Sequence, residues 1–342
     1  MKRAIRQKIA PAILLLIACT FLCGCGMSYV INSTHQLERE DAKEFLIDKT
    51  EVPSITRVEI HTHIADVEFL QADSFAVEIN YLYWDKEPTY EMKDGTLFFD
   101  DRDSFPKSYS INFNLHNTIK VYLPENSNME YVSIDNAAGN VAVTGFVAEK
   151  LDLEISYGDL TLKDASASAA TIDLSSGKSI LSDFNVGTLD FTNSYGNAKF
   201  NNIGFGAFSL SGDTASEECN ISMSSGSVDI DGMYSSSIDI RNSYGNVTCD
   251  NIQADKAKFN LSSGDLTVKH GNIDSIEAEN SYGDVTLQLP GPASDYALDL
   301  DTSYGRLKVD GNSYDNHVRQ SGNGSKDIKA NLSSGDVTVD FE

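Results

Sequence analysis

Serine, aspartate and tyrosine recur at fixed places in this chain. "ISYGDL" occupies 155–160, "NSYGNA" 193–198, "NSYGNV" 242–247 and "NSYGDV" 280–285. Between them stand "LSSGKS" (174–179), "MSSGSV" (223–228), "LSSGDL" (261–266) and "LSSGDV" (332–337). Serine near aspartate is a hydrolase vocabulary. A nucleophile, however, is a single residue in a special environment, and these residues return in every repeat. Repetition assigns them to architecture. His61 and His63 lie two apart, as two ligands on one strand face would. Val58, Ile60, Thr62 and Ile64 take the inward parity, and no third ligand stands nearby, so no metal site is expected. The residue after each repeated glycine is mostly Asn or Asp, but Lys178 and Arg306 interrupt the ladder a calcium site would need. Asx side chains at such places cap turns. P-loop, dinucleotide, H-E-x-x-H and G-x-S-x-G patterns are missing from the sequence. The reading is a non-enzyme with no catalytic residue and no cofactor.

These residues must sit on something periodic. The glycines fall at 139, 158, 177, 196, 226, 245, 264, 283, 305 and 335, mostly 19 apart. A fixed period near twenty marks a solenoid, each repeat being one coil of a continuous core. Within a repeat the apolar residues alternate: Leu151, Leu153 and Ile155 precede Gly158, and Leu160 and Leu162 follow it. Alternation argues strand, and the glycine stands where the inward parity changes, as a bend without Cβ would. Each coil therefore reads as strand, glycine corner, strand, then a loop such as "KDASASAA" (163–170). Parity extended to the residue before the glycine places Tyr157, Tyr195, Tyr244 and Tyr282 inside. Asn193, Asn242 and Asn280 stand two positions before three of these tyrosines, whereas serine in the same place follows Leu or Met. The expectation is a core of alternating large and small residues, built on Gly158, Gly177, Gly196, Gly226, Gly245, Gly264, Gly283 and Gly335.

Two stretches interrupt the period, 200–218 and the polar, Gly-rich 310–327, the latter read as a long exposed loop. Upstream, "RVEIHTHIADVEFLQ", "FAVEINYLYW", "GTLFFDD" and "TIKVYLP" are strand-like but irregular. Tyr81, Tyr83 and Trp84 cluster there as a candidate binding platform, with a cover over the first coils as the alternative. Function is expected in these irregular places, since regular coils spend their inward residues on packing.

The chain has 342 residues and a formal charge of −25. Such acidity argues against a nucleic-acid partner, which needs a basic face. "MKRAIRQK" is a basic start, and the apolar run after it is too short for an ordinary span and ends in "LCGC" (22–25). This resembles a bacterial lipobox, which implies cleavage before Cys25 and a lipid on its sulfur; "LIAC" ending at Cys19 is the second candidate. Removing four basic leader residues leaves 22 Lys and Arg against 51 acids, a mature charge of −29. Past the anchor only Cys219 and Cys249 remain, read as buried thiols rather than a disulfide.

The order "IADVEFL" (64–70), "DGTLFF" (94–99), "IKVYLP" (119–124), the SxGD phrases, "VTLQLP" (285–290) and "IKANLSSGDVTVDFE" (328–342) resembles the bacterial putative-adhesin family, a domain of unknown function of the 4097 type. The resemblance covers about residues 45–342. It implies an extracytoplasmic β-solenoid, often membrane-tethered and sometimes tied to envelope stress, with no catalytic residues to carry over. The expected organisation is a signal peptide over 1–24, a lipidated Cys25 and tether over 25–50, and one all-β solenoid domain over 51–342. Residues 51–130 form its irregular first coils and 131–342 its regular repeats. Expected partners are the membrane, through the lipid, and an envelope protein or glycan. The rival reading is a solenoid enzyme or binding protein acting on cell-wall or other polysaccharide.

Overall fold

The computed structural model describes residues 35–111, 113–125, 127–206 and 217–342. Cys19, Cys23 and Cys25 lie outside the described residues, as does 207–216 within the first interruption. The described chain is almost all strand, with two 3-10 turns, Arg39–Asp41 and Ala293–Asp295, as its helical content. None of its helices is long and apolar enough to cross a membrane, which says nothing of strands.

Parallel pairing in a 19-residue register builds the solenoid. Phe146–Tyr157 pairs on one edge with Ser127–Ala138 and on the other with Leu160–Ser176. Each regular coil has three sides, not the two strands and a loop that alternation suggests. After Gly158 the inward residues are Leu160 and Leu162, then Ala165 and Ala167, then Ala170, Ile172 and Leu174. The parity shifts at Asp164 and again between Ala167 and Ala170. Asp164 has φ +50°, and the same place is held by Gly145, Asp183, Asn202, Gly232, Asn251 and His270, all with positive φ. Left-handed backbone is open to glycine and tolerated by short polar side chains, so a single such residue turns the strand without a loop. "KDASASAA" is accordingly strand on both sides of one corner residue. The interior is filled by large side chains such as Phe184, Phe191, Phe200 and Phe259, all essentially buried. Each contributes about 1.5–3 kcal/mol by leaving water.

At the glycine corner, backbone stacks on backbone. A Cβ on Gly158 would lie 1.9 Å from the Gly139 carbonyl oxygen, and one on Gly245 would lie 2.2 Å from that of Gly226. These glycines also have φ between +122° and +155°. No L side chain satisfies both conditions.

Both ends depart from sequence order. Backbone bonds run from Gly264 N–H to Tyr282 O, from Gly283 N–H to Ser334 O and from Gly335 N–H to Tyr304 O. The strands Lys326–Ser334 and Val337–Phe341 therefore lie between the Gly283 coil and the Gly305 coil. At the other end, Arg57–Thr62 sits between Thr96–Asp100 and Ser127–Ala138. Each end is then covered by antiparallel strands. Lys43–Glu51 and Ala76–Tyr83 cover the first coil. Residues 310–327 are mostly exposed, as expected of a polar stretch, but they are not simply a loop. They carry Asn312–Tyr314 and His317–Gln320, which pair antiparallel with the last coil and cover its edge. Polarity misled because a covering strand has solvent on its outer side and little to bury.

The corners predict a sharp contrast. Gly245→Ala should cost about 2–4 kcal/mol, from strain and backbone overlap together. At Gly145 a Cβ would meet nothing within 4 Å, and Asn202 and Asn251 occupy the equivalent corner. Gly145→Asn should therefore change stability by less than about 0.5 kcal/mol. Chemical denaturation of both variants checks this; equal costs would mean the glycine stack is not what distinguishes the two corners.

Candidate functional site: an exposed tyrosine ladder

The tyrosines expected in the core are on the surface. Tyr157, Tyr195, Tyr244, Tyr282 and Tyr304 are 43, 54, 66, 66 and 80% exposed. The cause is the corner. Inside it, the space is taken by the glycine stack and by the residue two positions before the tyrosine. Asn242 donates from Nδ2 to the carbonyls of Gly226 (2.9 Å) and Gly245 (3.0 Å). Asn193 and Asn280 donate to Gly177 and Gly264 at 3.0 and 2.8 Å, and accept from the backbone N–H of Tyr195 and Tyr282. In the last coil Thr302 plays this part toward Gly335 at 2.9 Å. Parity holds as far as the asparagine and fails at the tyrosine, because the chain has begun to turn.

In stacking order the residues before the corner glycine are Tyr157, Ser176, Tyr195, Ser225, Tyr244, Ser263, Tyr282, Ser334 and Tyr304, following the bonds from each glycine N–H to the next coil. The alternation that breaks in sequence order is unbroken in space, because the C-terminal strand supplies the missing serine rung. Strands stack about 4.8 Å apart, so the tyrosines recur about every 9.6 Å over about 38 Å. A second ladder runs beside them. Ser156, Ser175, Ser194, Ser243, Ser262 and Ser281 stand one residue earlier, all at least partly exposed. Next to this ladder a shallow trough of about 520 Å³ is bordered by Arg241, Ser243, Ser262, Glu279, Ser281 and Asn331.

The carboxylates beside the tyrosines are committed elsewhere. Asp159 accepts from Lys178 N–H (2.8 Å), Asp265 from Asp284 N–H (2.9 Å), and Asp284 from Asp336 N–H (2.8 Å). Where the residue after the corner is Asn or Asp, it thus caps the same residue of the next coil, as Asx turn chemistry would have it. Among the described residues no group of three or more His, Cys, Asp or Glu is arranged to hold a metal. Cys219 and Cys249 are separate buried thiols, and burial pushes both well above the ordinary thiol range.

Of the two readings of the N-terminal aromatics, the structure favours the cover over the platform. Tyr81 is fully buried and Tyr83 nearly so, under the strand Lys43–Glu51. Trp84 is partly buried, stacks near Phe105, and donates from Nε1 to the Glu38 carbonyl at 2.9 Å. They form the cover over the first coils and offer no platform.

Under that cover lies a cluster that no sequence pattern signals. Asp101 is fully buried and accepts from Thr62 Oγ1 (2.7 Å), from His63 N–H (2.8 Å) and from the Tyr81 hydroxyl. His63 Nδ1 lies 3.0 Å from the same carboxylate. The hydrogen bond to Asp101 raises the His63 pKa above its ordinary 6.5.

Two predictions follow from these placements. Tyr244→Ala and Tyr282→Ala should each cost less than about 1 kcal/mol, as surface changes do. Asn242→Ala should cost about 1–3 kcal/mol, because it strips a donor from two corner carbonyls. Urea unfolding of the three variants reads the order. The second concerns pH. His63 binds its proton more tightly folded than unfolded, so its contribution is present below pH 6.5 and is lost as pH rises through its raised value. Thermal unfolding of wild type should lose stability relative to His63→Gln across that window. Parallel curves for the two proteins would remove His63 as the source.

The sequence matches the Toastrack DUF4097 family over residues 55–340. No curated protein matches it. Among solved structures, a putative adhesin from Parabacteroides distasonis is 12% identical, with 90% of this chain and 99% of that one covered and a TM-score of 0.40. A putative adhesin from Bacteroides fragilis is 9% identical over 90% of this chain and 99% of that one, with a TM-score of 0.32. A protein from Parabacteroides distasonis described as a putative lipid binding protein is 14% identical over 89% and 99%, with a TM-score of 0.37. With the family matched over nearly all of the solenoid, the chain belongs to the Toastrack DUF4097 family.

Proposed function

We propose that this protein is a non-catalytic interaction module, held by a lipid on Cys25 at the extracytoplasmic face of the membrane, and that its working surface is the tyrosine face of the regular coils. The observation that carries the reading is the ladder itself. Five exposed tyrosines stand in register on a rigid parallel stack, where an isolated solvent-facing aromatic would be unremarkable but a periodic row is not. Aromatic side chains give large contact area at small entropic cost and dominate recognition surfaces. The carboxylates nearest the ladder cap backbone N–H groups, which favours binding over hydrolysis. The basic start, short apolar run and Cys25 supply the tether, and the mature acidity suits a self-repelling envelope protein.

The test uses whole cells. Cys25→Ser should abolish palmitate-analogue labelling and release the protein from the membrane, while Cys19→Ser leaves both intact. Beads bearing the purified protein should bind envelope material, and Tyr195→Ala, Tyr244→Ala and Tyr282→Ala combined should remove most of that binding. Tyr234→Ala, equally exposed but off the ladder, should not. Wild-type binding by the triple variant would mean the working surface is elsewhere.

A further inference from the structure

The ladder constrains what can lie on it, and we infer that its ligand is an extended, uncharged or cationic glycan whose sugars are β-1,4-linked. This inference rests on the reading of the tyrosine face as the working surface. The first argument is period. The rungs repeat about every two strand spacings, about 9.6 Å. A β-1,4-linked pyranose chain in its extended form turns over at each sugar, so it presents like faces once per disaccharide, a length close to two coils. One ligand repeat then meets one tyrosine along the whole row, from Tyr157 to Tyr304.

The second argument is chemistry. A pyranose ring has an apolar face of C–H groups and an edge of hydroxyls. A lone tyrosine ring offers a surface for the first, and the adjoining serine ladder offers donors and acceptors for the second, one rung per coil. The serines at Ser176, Ser225, Ser263 and Ser334 leave a gap between successive aromatics, so each ring is a separate platform. A lipid or a globular partner would instead favour a continuous apolar patch, which these separated rings do not make.

A polyproline helix is the closest competitor, since three residues per turn at about 3.1 Å give a repeat of about 9.3 Å. Proline-rich segments, however, dock into aromatic-lined grooves. Here neighbouring rings are a full double coil apart and form no slot. The third argument is charge. With a net −25 on the chain, a polyanionic glycan is repelled by the molecule as a whole, and a neutral or amino-sugar polymer is not.

The experiment is calorimetric titration of the purified full-length protein with cello- and chito-oligosaccharides of increasing length. Oligogalacturonate and a polyproline peptide serve as comparators. Affinity should rise with length until the glycan spans several rungs, as multivalent contact requires. Tyr244→Ala and Tyr282→Ala should each weaken binding by about five- to tenfold, the loss of one aromatic anchor, with thermal midpoints within about 4 °C of wild type. Tyr234→Ala should bind as wild type. Absence of binding to every neutral and cationic oligosaccharide at millimolar concentration overturns the inference, as does binding indifferent to the ladder variants. Ladder-dependent binding of polyproline or oligogalacturonate alone also overturns it, while leaving the tyrosine face as the working surface. Envelope binding that survives the triple variant overturns the earlier reading instead.

Discussion

The glycine corner is the constraint on which the rest depends. At each turn the backbone of one coil rests on the carbonyl of the coil before, too close for any Cβ. That contact fixes the coil spacing at this edge and leaves the corner's interior with room for one inward side chain. On four of the five tyrosine rungs it is Asn193, Asn242, Asn280 or Thr302, which satisfies corner carbonyls, and elsewhere it is an apolar residue such as Ile155, Leu174 or Leu261. Everything after it in the turn must face outward. The surface ladder of tyrosine and serine is thus a product of core geometry. Position is dictated by the backbone, and only the choice of tyrosine at alternate rungs is left free.

That freedom is used with unusual regularity. A serine at every rung would close the corner equally well, since Ser176, Ser225, Ser263 and Ser334 do so. Tyrosine at alternate rungs leaves 43 to 80% of the residue exposed, an apolar ring in water that a serine would not present. The recognition role proposed for this face would account for the choice. The left-handed corner six residues on shows the opposite pattern. It varies among Gly, Asp, Asn and His, as a position selected only for backbone conformation would.

Much of this fold can be read in the sequence. The 19-residue period, the alternating strands and the glycine corners follow from spacing alone, because each leaves a mark in residue type. The second and third corners leave weaker marks. A single Asp or Asn in left-handed backbone looks like any turn residue, and the alanines of 165–170 are too small to show which side they face. The inward reading of Tyr157, Tyr195, Tyr244 and Tyr282 failed for a related reason. Parity is a rule for strands, and these residues stand at the first step of a corner. For Tyr81 and Tyr83 the sequence left two readings, platform or cover, because an aromatic run near an irregular end suits both; the structure takes the cover, since an exposed first coil must be covered and large side chains do it best. Asp101 was invisible, because a buried carboxylate is defined by partners far away in the chain, Thr62, His63 and Tyr81.

The inserted C-terminal strand has a consequence for how this molecule comes into being. Most solenoids can be assembled like a stack of plates, each coil resting on a finished one. Here the coil ending at Tyr304 emerges with nothing beneath it, because its seat is a strand that has not been made. The segment 326–341 fills the layer between two coils that both precede it in the chain. The array therefore has a keystone, and it comes later in the chain than the coil it seats. Loss of the final sixteen or so residues would not shorten the stack by one coil; it would leave a gap one layer in from the end and cut loose everything beyond it.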